Sequence, residues 1–311
     1  MRSNFSFINP FQFFILIFAF FLGSASSYGQ DSLPLVSKTP LVPIRDLRCE
    51  GFQKSLRDEV FKKAEWKNLV LSKKMAIGIV DLRDLSNIAY AGLNDDQMMY
   101  AASLPKIAVL LGAFDAIQQG KIEYSLELKE DLRLMISKSN NAATTRVIDQ
   151  IGYLQIESAL RNAKHKLYDE DEGGGLWVGK RYAREGARYP DPLKGMSHGA
   201  TASQAASFYY QLAFGELIDR QSSKEMLSML KDPALTHKFV NSLQRIAPEA
   251  TLYRKSGSWK RFHSDSVLVW GPDRRYILVA LIEDPNGEQI IRSLVEPLEE
   301  VLADYASSTC Q

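Results

Sequence analysis

Two kinds of hydrophobic pattern alternate along this chain, and their order limits the folds that it can form. Strand-like segments occur near both ends, whereas apolar residues recur at helical spacing from Leu104 to about Gln244. Strands at the ends with helices between them are typical of an α+β protein. We therefore predict an antiparallel β-sheet lobe from residues 46–100 and 250–311, and an all-helical lobe from residues 101–249.

The periodicity also predicts individual elements. Strands are predicted at residues 75–82, 88–92, 251–258, 266–270 and 276–282. Helices are predicted at residues 51–67, 104–119, 128–137, 142–151, 154–163, 201–214, 223–230 and 288–305. A long segment without helical periodicity, residues 168–198, interrupts the helices, and loops of this length inside a compact domain are often functional.

The first residues have the order of a secretory signal peptide. Arg2 supplies a positive charge, residues 11–22 are almost entirely apolar, and small residues follow. The apolar run is short for a membrane span, which needs about 20 residues. We expect residues 1–29 to be a signal peptide, with an uncleaved anchor as the alternative. Residues 30–311 would then form a single secreted or periplasmic domain without a membrane span.

Charge and cysteine content exclude some partners and leave one question open. The chain carries 38 basic and 37 acidic residues without a basic stripe, so nucleic acid is not an expected partner. Cys49 and Cys310 either pair in an oxidising compartment or remain two free thiols. No metal or cofactor is expected, because the four histidines show no metal-binding spacing: His165, His198, His237 and His263.

A serine and a lysine three positions apart begin the first central helix. Ser103 and Lys106 share a helix face at this spacing, and Pro105 is tolerated in a first turn. A serine hydroxyl becomes a good nucleophile when a neighbouring base takes its proton, and burial can lower the pKa of an amine enough for that task. We predict Ser103 as nucleophile and Lys106 as its base; the alternative is a helix cap followed by a solvated lysine.

Two later segments carry further candidates. Ser139 and Asn141 stand in a predicted helix-to-helix loop, where a serine can pass a proton to a leaving nitrogen and an asparagine can bind a substrate amide. The alternative is simple N-capping. Lys255-Ser256-Gly257-Ser258 ends a predicted strand, where glycine permits close backbone approach and the lysine attracts a carboxylate. The alternative is a strand end with an exposed lysine.

Together, in the order S-x-x-K, S-x-N and K-[ST]-G, these motifs resemble those of class A β-lactamases and penicillin-binding proteins. The resemblance extends over nearly all of the chain from about Arg48 onward. It implies a β-lactamase/transpeptidase-like fold and a serine hydrolase that forms an acyl-enzyme. By motif match, Ser103 attacks, Lys106 activates it, Ser139 relays a proton and Asn141 holds the substrate amide. Lys255 and Ser256 bind the substrate carboxylate, and the backbone N–H groups of Ser103 and Ser258 form the oxyanion hole beside Gly257.

The chain departs from the family pattern in the middle motif and in the residues that bind the carboxylate. Asn140 replaces the usual aspartate of that motif, so the packing there must differ, and the stretch between the first two motifs is short. The strand position that often carries an arginine is Ser264 here, and Arg261 or His263 can substitute for it.

A further departure concerns the loop glutamate that activates the deacylating water in class A enzymes. The usual Glu-x-x-Leu-Asn pattern is missing between residues 168 and 198. Our candidate for this catalytic role is Glu185, with Glu172 as a second candidate and a solvated loop charge as the alternative. His198 is interpreted as structural.

The favoured function is therefore β-lactam hydrolysis by a monomeric, exported enzyme of antibiotic resistance. The alternative is a D-alanyl-D-alanine peptidase or penicillin-binding protein that acts on cell-wall peptides and deacylates slowly. A non-catalytic binding module is disfavoured because the set of motif residues is complete.

Overall fold

The computed structural model describes Met1, residues 32–36, residues 40–305 and Cys310. The predicted signal peptide, residues 1–29, lies outside the described residues except for Met1. The chain divides into two units, Met1–Ser32 and Leu33–Gln311, and all described helices and strands belong to the second. None of these described helices is long and apolar enough to cross a membrane.

Strands and helices follow one another in the predicted order. The strands are β1 (Met75–Asp81), β2 (Ala89–Leu93), β3 (Met99–Tyr100), β4 (Tyr168–Asp169), β5 (Gly174–Gly175), β6 (Trp177–Val178), β7 (His198–Ala200), β8 (Thr251–Trp259), β9 (Phe262–Trp270) and β10 (Arg275–Glu283). The helices are α1 (Glu50–Phe61), α2 (Ala64–Leu71), α3 (Lys106–Gln118), α4 (Leu126–Ser137), α5 (Asn141–Ile151), α6 (Tyr153–Arg161), α7 (Ala202–Ala213), α8 (Arg220–Leu230), α9 (Phe239–Ile246), α10 (Gly287–Ser293) and α11 (Val295–Asp304), preceded by a 3₁₀-helix at Ile44–Leu47.

Both ends of the chain contribute to one antiparallel sheet, as predicted. Its strand order is β2-β1-β10-β9-β8, so β10 near the C-terminus pairs with β1 near the N-terminus. The register of β1 against β10 runs from Met75 opposite Ile282 to Asp81 opposite Tyr276. The protein is therefore an α+β protein of the predicted class.

Alternation along the central strand explains why the sheet is covered on both faces. In β10, Ile277, Val279 and Leu281 belong to the core shared with the central helices. Tyr276, Leu278 and Ala280 belong to the opposite core, which the helices from the two chain ends cover. Successive strand side chains point to opposite faces, and in this sheet both faces are apolar. The sheet thus forms a middle layer, with helix α7 packed on the face that belongs to the core of the central helices.

Helix α3 begins immediately after the Ser103 turn. Every residue of it from Lys106 to Ala116 is buried, as expected for a helix that is apolar on all sides. The amine of Lys106 therefore starts from a buried helix end.

Two predicted helices are each divided in the structure. The predicted helix at 51–67 is α1 followed by α2, because an uninterrupted helix would carry Lys63 and Lys67 onto the face that Leu56 and Val60 bury. The predicted helix at 288–305 is α10 followed by α11. Pro297 explains that break, since it has no N–H to donate to the preceding turn.

The segment at 168–198 was predicted to lack regular structure, which is wrong in part. It contains the β4–β5 pair, and β6 joins β7 and β3 in a three-stranded sheet. A Cβ at Gly175 would lie 2.1 Å from the Leu167 carbonyl oxygen, so the backbones approach too closely for a side chain there.

The two cysteines form a disulfide. Cys49 directly precedes α1, and its Cα lies 4.8 Å from that of Cys310. The sequence left pairing and free thiols equally open, and the structure has the pair. The bond ties the start of α1 to the residues that follow α11.

Candidate active site

The predicted nucleophile lies in a strained turn. Ser103 is half-buried between β3 and α3. Ala102, directly before it, has a φ of 51°, in the left-handed region that non-glycine residues rarely adopt. Two side chains hydrogen-bond to this turn: Ser264 Oγ donates to the Ala101 carbonyl at 2.7 Å, and the Tyr182 hydroxyl donates to the Ala102 carbonyl at 3.1 Å.

The amine of Lys106 is buried beside this turn. It donates to the Ser139 carbonyl at 2.6 Å and to Asn141 Oδ1 at 2.8 Å, and it lies 3.3 Å from Ser139 Oγ. Burial lowers the pKa of Lys106 to about 7. The sequence predicted the Lys106 amine in contact with Ser103. Within the described residues its hydrogen bonds instead go to the loop that carries Ser139.

Ser139 lies between two amines. Its backbone is left-handed, with a φ of 55°, which turns the carbonyl and the hydroxyl to the same neighbour, Lys106. Lys255 donates to the Ser139 hydroxyl oxygen from the other side at 2.9 Å. The predicted relay serine therefore joins the first motif to the third.

The two asparagines of the middle motif have different tasks: one caps a helix and the other contacts the Lys106 amine. Asn140 Oδ1 accepts from the Ala143 N–H at 2.9 Å, so Asn140 is the N-cap of α5. A short polar side chain suffices for that cap, which accounts for asparagine in place of aspartate. Asn141 instead uses Oδ1 to accept from Lys106.

Lys255 is fully buried at the centre of β8. Besides Ser139 it donates to the carbonyl of Ser256. Burial lowers the pKa of Lys255 well below its ordinary value, and the positive charges of Lys106 and Arg254 add to the effect. Arg254 in turn forms a buried ion pair with Asp265, with Nε 2.6 Å from Oδ1. Strand β8 thus carries two buried cations that this single carboxylate supports.

Gly257 sets how closely β8 approaches the Ser103 turn. A Cβ built there would lie 2.3 Å from the Ala101 carbonyl oxygen and 2.4 Å from the backbone nitrogen of Ser103. We predicted that this glycine admits a ligand; the structure uses it to bring two backbones together. The contact puts the N–H groups of Ser103 and Ser258, the predicted oxyanion donors, on adjoining segments.

A lysine that the motifs do not mark stands beneath Ser258. Lys238 is fully buried and donates to the Gly257 carbonyl at 2.5 Å, to Ser258 Oγ at 2.8 Å and to the Ser264 carbonyl at 3.0 Å. Burial lowers the pKa of Lys238 to about 8. No motif spacing signals it, because it lies in the segment before α9, outside the motif on β8, and the fold brings its amine to Ser258.

The structure distinguishes between Arg261 and His263, the two residues that were suggested to replace the usual strand arginine. Arg261 is half-exposed, with Nε 3.8 Å from a carboxylate oxygen of Glu283. His263 Nδ1 lies 3.3 Å from Ser258 Oγ, and the Ser264 hydroxyl is engaged with Ala101. Of the predicted substitutes, only His263 reaches Ser258, and Lys238 is the closer cation.

Sequence comparison assigns the family. The model of the β-lactamase enzyme family matches residues 62–129 and 123–302. The chain belongs to the β-lactamase enzyme family. It is an enzyme, a β-lactamase-like serine hydrolase, and its three motifs meet in one cluster. Among curated proteins, no sequence matches the chain.

Solved structures share the fold of this family member at low identity. A β-lactamase from Sphaerobacter thermophilus aligns with a TM-score of 0.60 at 17% identity, over 74% of this chain and 90% of that chain. PBP-A aligns with a TM-score of 0.59 at 18% identity, over 82% and 97%. A class A β-lactamase from Mycobacterium abscessus aligns with a TM-score of 0.57 at 16% identity, over 79% and 98%. These likenesses establish the β-lactamase/transpeptidase-like fold.

The loop at 168–198 of this β-lactamase family member brings no carboxylate into hydrogen-bond contact with the described Ser103–Lys106–Ser139 cluster. Glu185 is exposed and has no hydrogen bond to a described site residue. Glu172 pairs with Arg45, next to Asp96. The loop residue that reaches the cluster is Tyr182, whose ring centroid lies 4.5 Å from Lys106 Nζ. Sequence reasoning missed Tyr182 because it sought a carboxylate.

Proposed function

We propose that this protein forms an acyl-enzyme through Ser103 and opens the amide bond of β-lactams. The observation that carries the proposal is the buried Lys106 amine, with a pKa lowered to about 7, which contacts Ser139 and stands three positions after the half-buried Ser103. A neutral amine has two N–H groups. The carbonyl of Ser139 and Oδ1 of Asn141 accept them at the two shorter distances. The lone pair at the longer contact with Ser139 Oγ would turn to the Ser103 proton when substrate binds.

The two amines around Ser139 support its role as a relay. Lys255 donates to the Ser139 oxygen, so the hydroxyl proton of Ser139 is free to move towards the leaving nitrogen of the substrate. Lys106 then returns a proton to Ser139. Hydrogen bonds of this kind are often long without substrate and tighten when it binds.

The end of β8 supports the binding half of the proposal. The β-lactam carbonyl oxygen would accept hydrogen bonds from the N–H groups of Ser103 and Ser258, which stabilise the developing negative charge. The substrate carboxylate would meet Ser256, Lys255 and the hydroxyl of Ser258. Lys238 places a further positive charge beneath that hydroxyl.

Intact-mass measurement after mixing with benzylpenicillin tests the proposal, because it follows acylation and deacylation together. We expect an adduct on the wild type, none on Ser103→Ala, and an unchanged adduct on the control Ser137→Ala. That control removes a hydroxyl that donates, among the described residues, to the Arg133 carbonyl of its own helix. Absence of an adduct, without consumption of benzylpenicillin by the wild type, would refute the proposal.

A second candidate is a D-alanyl-D-alanine peptidase or penicillin-binding protein with slow deacylation. The contact of Tyr182, rather than a carboxylate, with Lys106 favours it, as does the exposure of Glu185. An adduct that persists while free benzylpenicillin remains intact supports this candidate. Continuing consumption of benzylpenicillin supports the β-lactamase and would leave the deacylating role of Glu185 to a Glu185→Gln test.

We further propose that the protein is exported and acts as a monomer, with residues 30–311 as its single domain. The charged start and apolar run of residues 1–29 support export. The Cys49–Cys310 disulfide also supports it, because such bonds persist in oxidising compartments. N-terminal sequencing of the protein recovered from outside the cytoplasm tests the removal of residues 1–29, and size-exclusion chromatography tests the monomer.

A further inference from the structure

Tyr182 lies where the long loop meets the catalytic cluster. Its ring centroid is 4.5 Å from Lys106 Nζ, and its hydroxyl donates to the Ala102 carbonyl at 3.1 Å. Burial raises the pKa of the Tyr182 phenol well above its ordinary value, so the hydroxyl stays protonated and remains a donor. One side chain therefore touches both the amine and the turn that carries Ser103.

The ring of Tyr182 is itself held in place. His198 packs on it, with centroids 4.3 Å apart. The imidazole lies between Ser197 Oγ, 3.0 Å from Nδ1, and the Lys180 carbonyl, 3.1 Å from Nε2. Burial lowers the pKa of His198 to about 4, so a neutral imidazole donates from Nε2 and accepts at Nδ1. This support fits a fixed element of the site better than a loose loop residue.

We propose that Tyr182 is a positioning residue that closes the loop side of the site: its ring keeps water away from the Lys106 amine, and its hydroxyl holds the Ala102 carbonyl and thereby the Ser103 turn. The inference rests on the proposed function, because it assigns a role within the same acyl-enzyme site. It also predicts how the ester on Ser103 is protected. Hydrolysis adds a water oxygen to the acyl carbon, breaks the ester bond between that carbon and Ser103 Oγ, and returns one water proton to Oγ. A ring at this place limits the water that can approach beside Lys106.

Removal of the whole Tyr182 ring and removal of its hydroxyl alone are expected to affect acylation and acyl loss differently. Tyr182→Phe keeps the ring but loses the hydrogen bond to Ala102, so acylation of Ser103 slows by about two- to tenfold, while the acyl lifetime is unchanged. Tyr182→Ala admits water to the amine. The pKa of Lys106 then rises from about 7 towards the ordinary lysine value of about 10.4, and the acyl group is lost faster.

Two titratable groups besides Tyr182 face the Lys106 amine, Lys255 from β8 and His198 from β7. Burial lowers the pKa of each, and the positive charge of Lys106 lowers it further. Ser139 and Asn141 contribute neutral oxygens. His198 packs on the Tyr182 ring, which Tyr182→Phe keeps and Tyr182→Ala removes. A change in the titration of Lys106 that Tyr182→Ala shows and Tyr182→Phe does not is therefore attributable to the loss of the ring.

The test combines two measurements on the full protein. The ε-carbon resonances of labelled lysines are titrated by NMR, with the Lys106 signal assigned by its loss in Lys106→Arg. Benzylpenicillin acylation and acyl loss are followed by intact mass. The matched control is Tyr124→Ala, because Tyr124 also lies over a lysine, 5.6 Å from Lys129 Nζ, but in another part of the helical lobe.

We expect Tyr182→Ala to raise the Lys106 midpoint and shorten the acyl lifetime, and Tyr124→Ala to change neither. A Lys106 midpoint in Tyr182→Ala that equals or falls below the wild-type value would overturn the inference. The NMR titration needs no acylation, so it tests Tyr182 even if the wild type takes no acyl group, an outcome that refutes only the proposed function. If the wild type is acylated and the Tyr182 variants match it in the Lys106 midpoint and the acyl lifetime, only the inference is refuted.

Discussion

Replacement of Gly257 by alanine is expected to disable the site without unfolding the protein. The added Cβ would lie 2.3 Å from the Ala101 carbonyl oxygen, 2.4 Å from the Ser103 nitrogen and 2.8 Å from the Leu104 nitrogen. All three are backbone atoms, so no flexible side chain can yield. Restoring an ordinary contact of 3.4 Å requires β8 and the Ser103 turn to separate by about 1 Å.

The expected loss of activity follows from that displacement. A misplacement of about 1 Å can cost about 10²-fold in rate, and the loss of one oxyanion donor costs about 10²–10³-fold. We therefore expect acylation by benzylpenicillin to slow by about 10²-fold or more in Gly257→Ala. The overpacking should lower the free energy of unfolding by about 1–3 kcal/mol, which leaves the protein folded.

Intact-mass kinetics measure the acylation rate, and urea denaturation measures stability. The control is Gly271→Ala, at the β9–β10 turn, where the atoms nearest to the added Cβ belong to Ala250, at 3.1 Å. We expect that variant to acylate at the wild-type rate. If Gly257→Ala acylated within about twofold of the wild type, the assignment of these two backbone segments to the oxyanion site would be wrong.

Three further predictions concern the buried charges. The acylation rate should rise as the pH increases through about 7, because the Lys106 amine must lose its proton to accept one, and a rate independent of pH between 5 and 9 would contradict this role. Lys238→Met should lower the second-order rate constant for acylation by about 10- to 100-fold, because it removes a charge-assisted interaction worth about 1.5–3 kcal/mol. The effect should vanish with the methyl ester of benzylpenicillin, which lacks the carboxylate. Equal effects on the acid and the ester would show that Lys238 does not bind the substrate carboxylate. Arg254→Met should lower the free energy of unfolding by about 3–5 kcal/mol in urea denaturation, because it leaves Asp265 buried without its partner, and a loss below about 1 kcal/mol would show that the pair is unimportant.

Much of the architecture could be read from local pattern. The order of strands and helices, the sheet built from both ends and the α3 helix after Ser103 follow from the spacing of apolar residues, which each segment carries by itself. The errors fall where neighbouring segments compete. Helix α1 ends at Phe61 because further helix would bury Lys63 and Lys67, and the end of α10 depends on Pro297.

The candidate site was likewise predicted in part. The motifs named Ser103, Lys106, Ser139 and Lys255, and the fold joins Lys106 and Lys255 through Ser139. The sequence also favoured Glu185, which stays exposed.

By itself the sequence determined which chemical groups the chain possesses and the class of fold that its hydrophobic periods allow. Only the tertiary structure decided which groups lose their water. The Lys106 amine is buried by Ser139 and by Tyr182, from loops distant in sequence, and the Lys238 amine reaches Ser258 from the segment before α9. The pKa of an amine depends on burial by residues that are distant in sequence, and a local sequence pattern does not predict which residues those are.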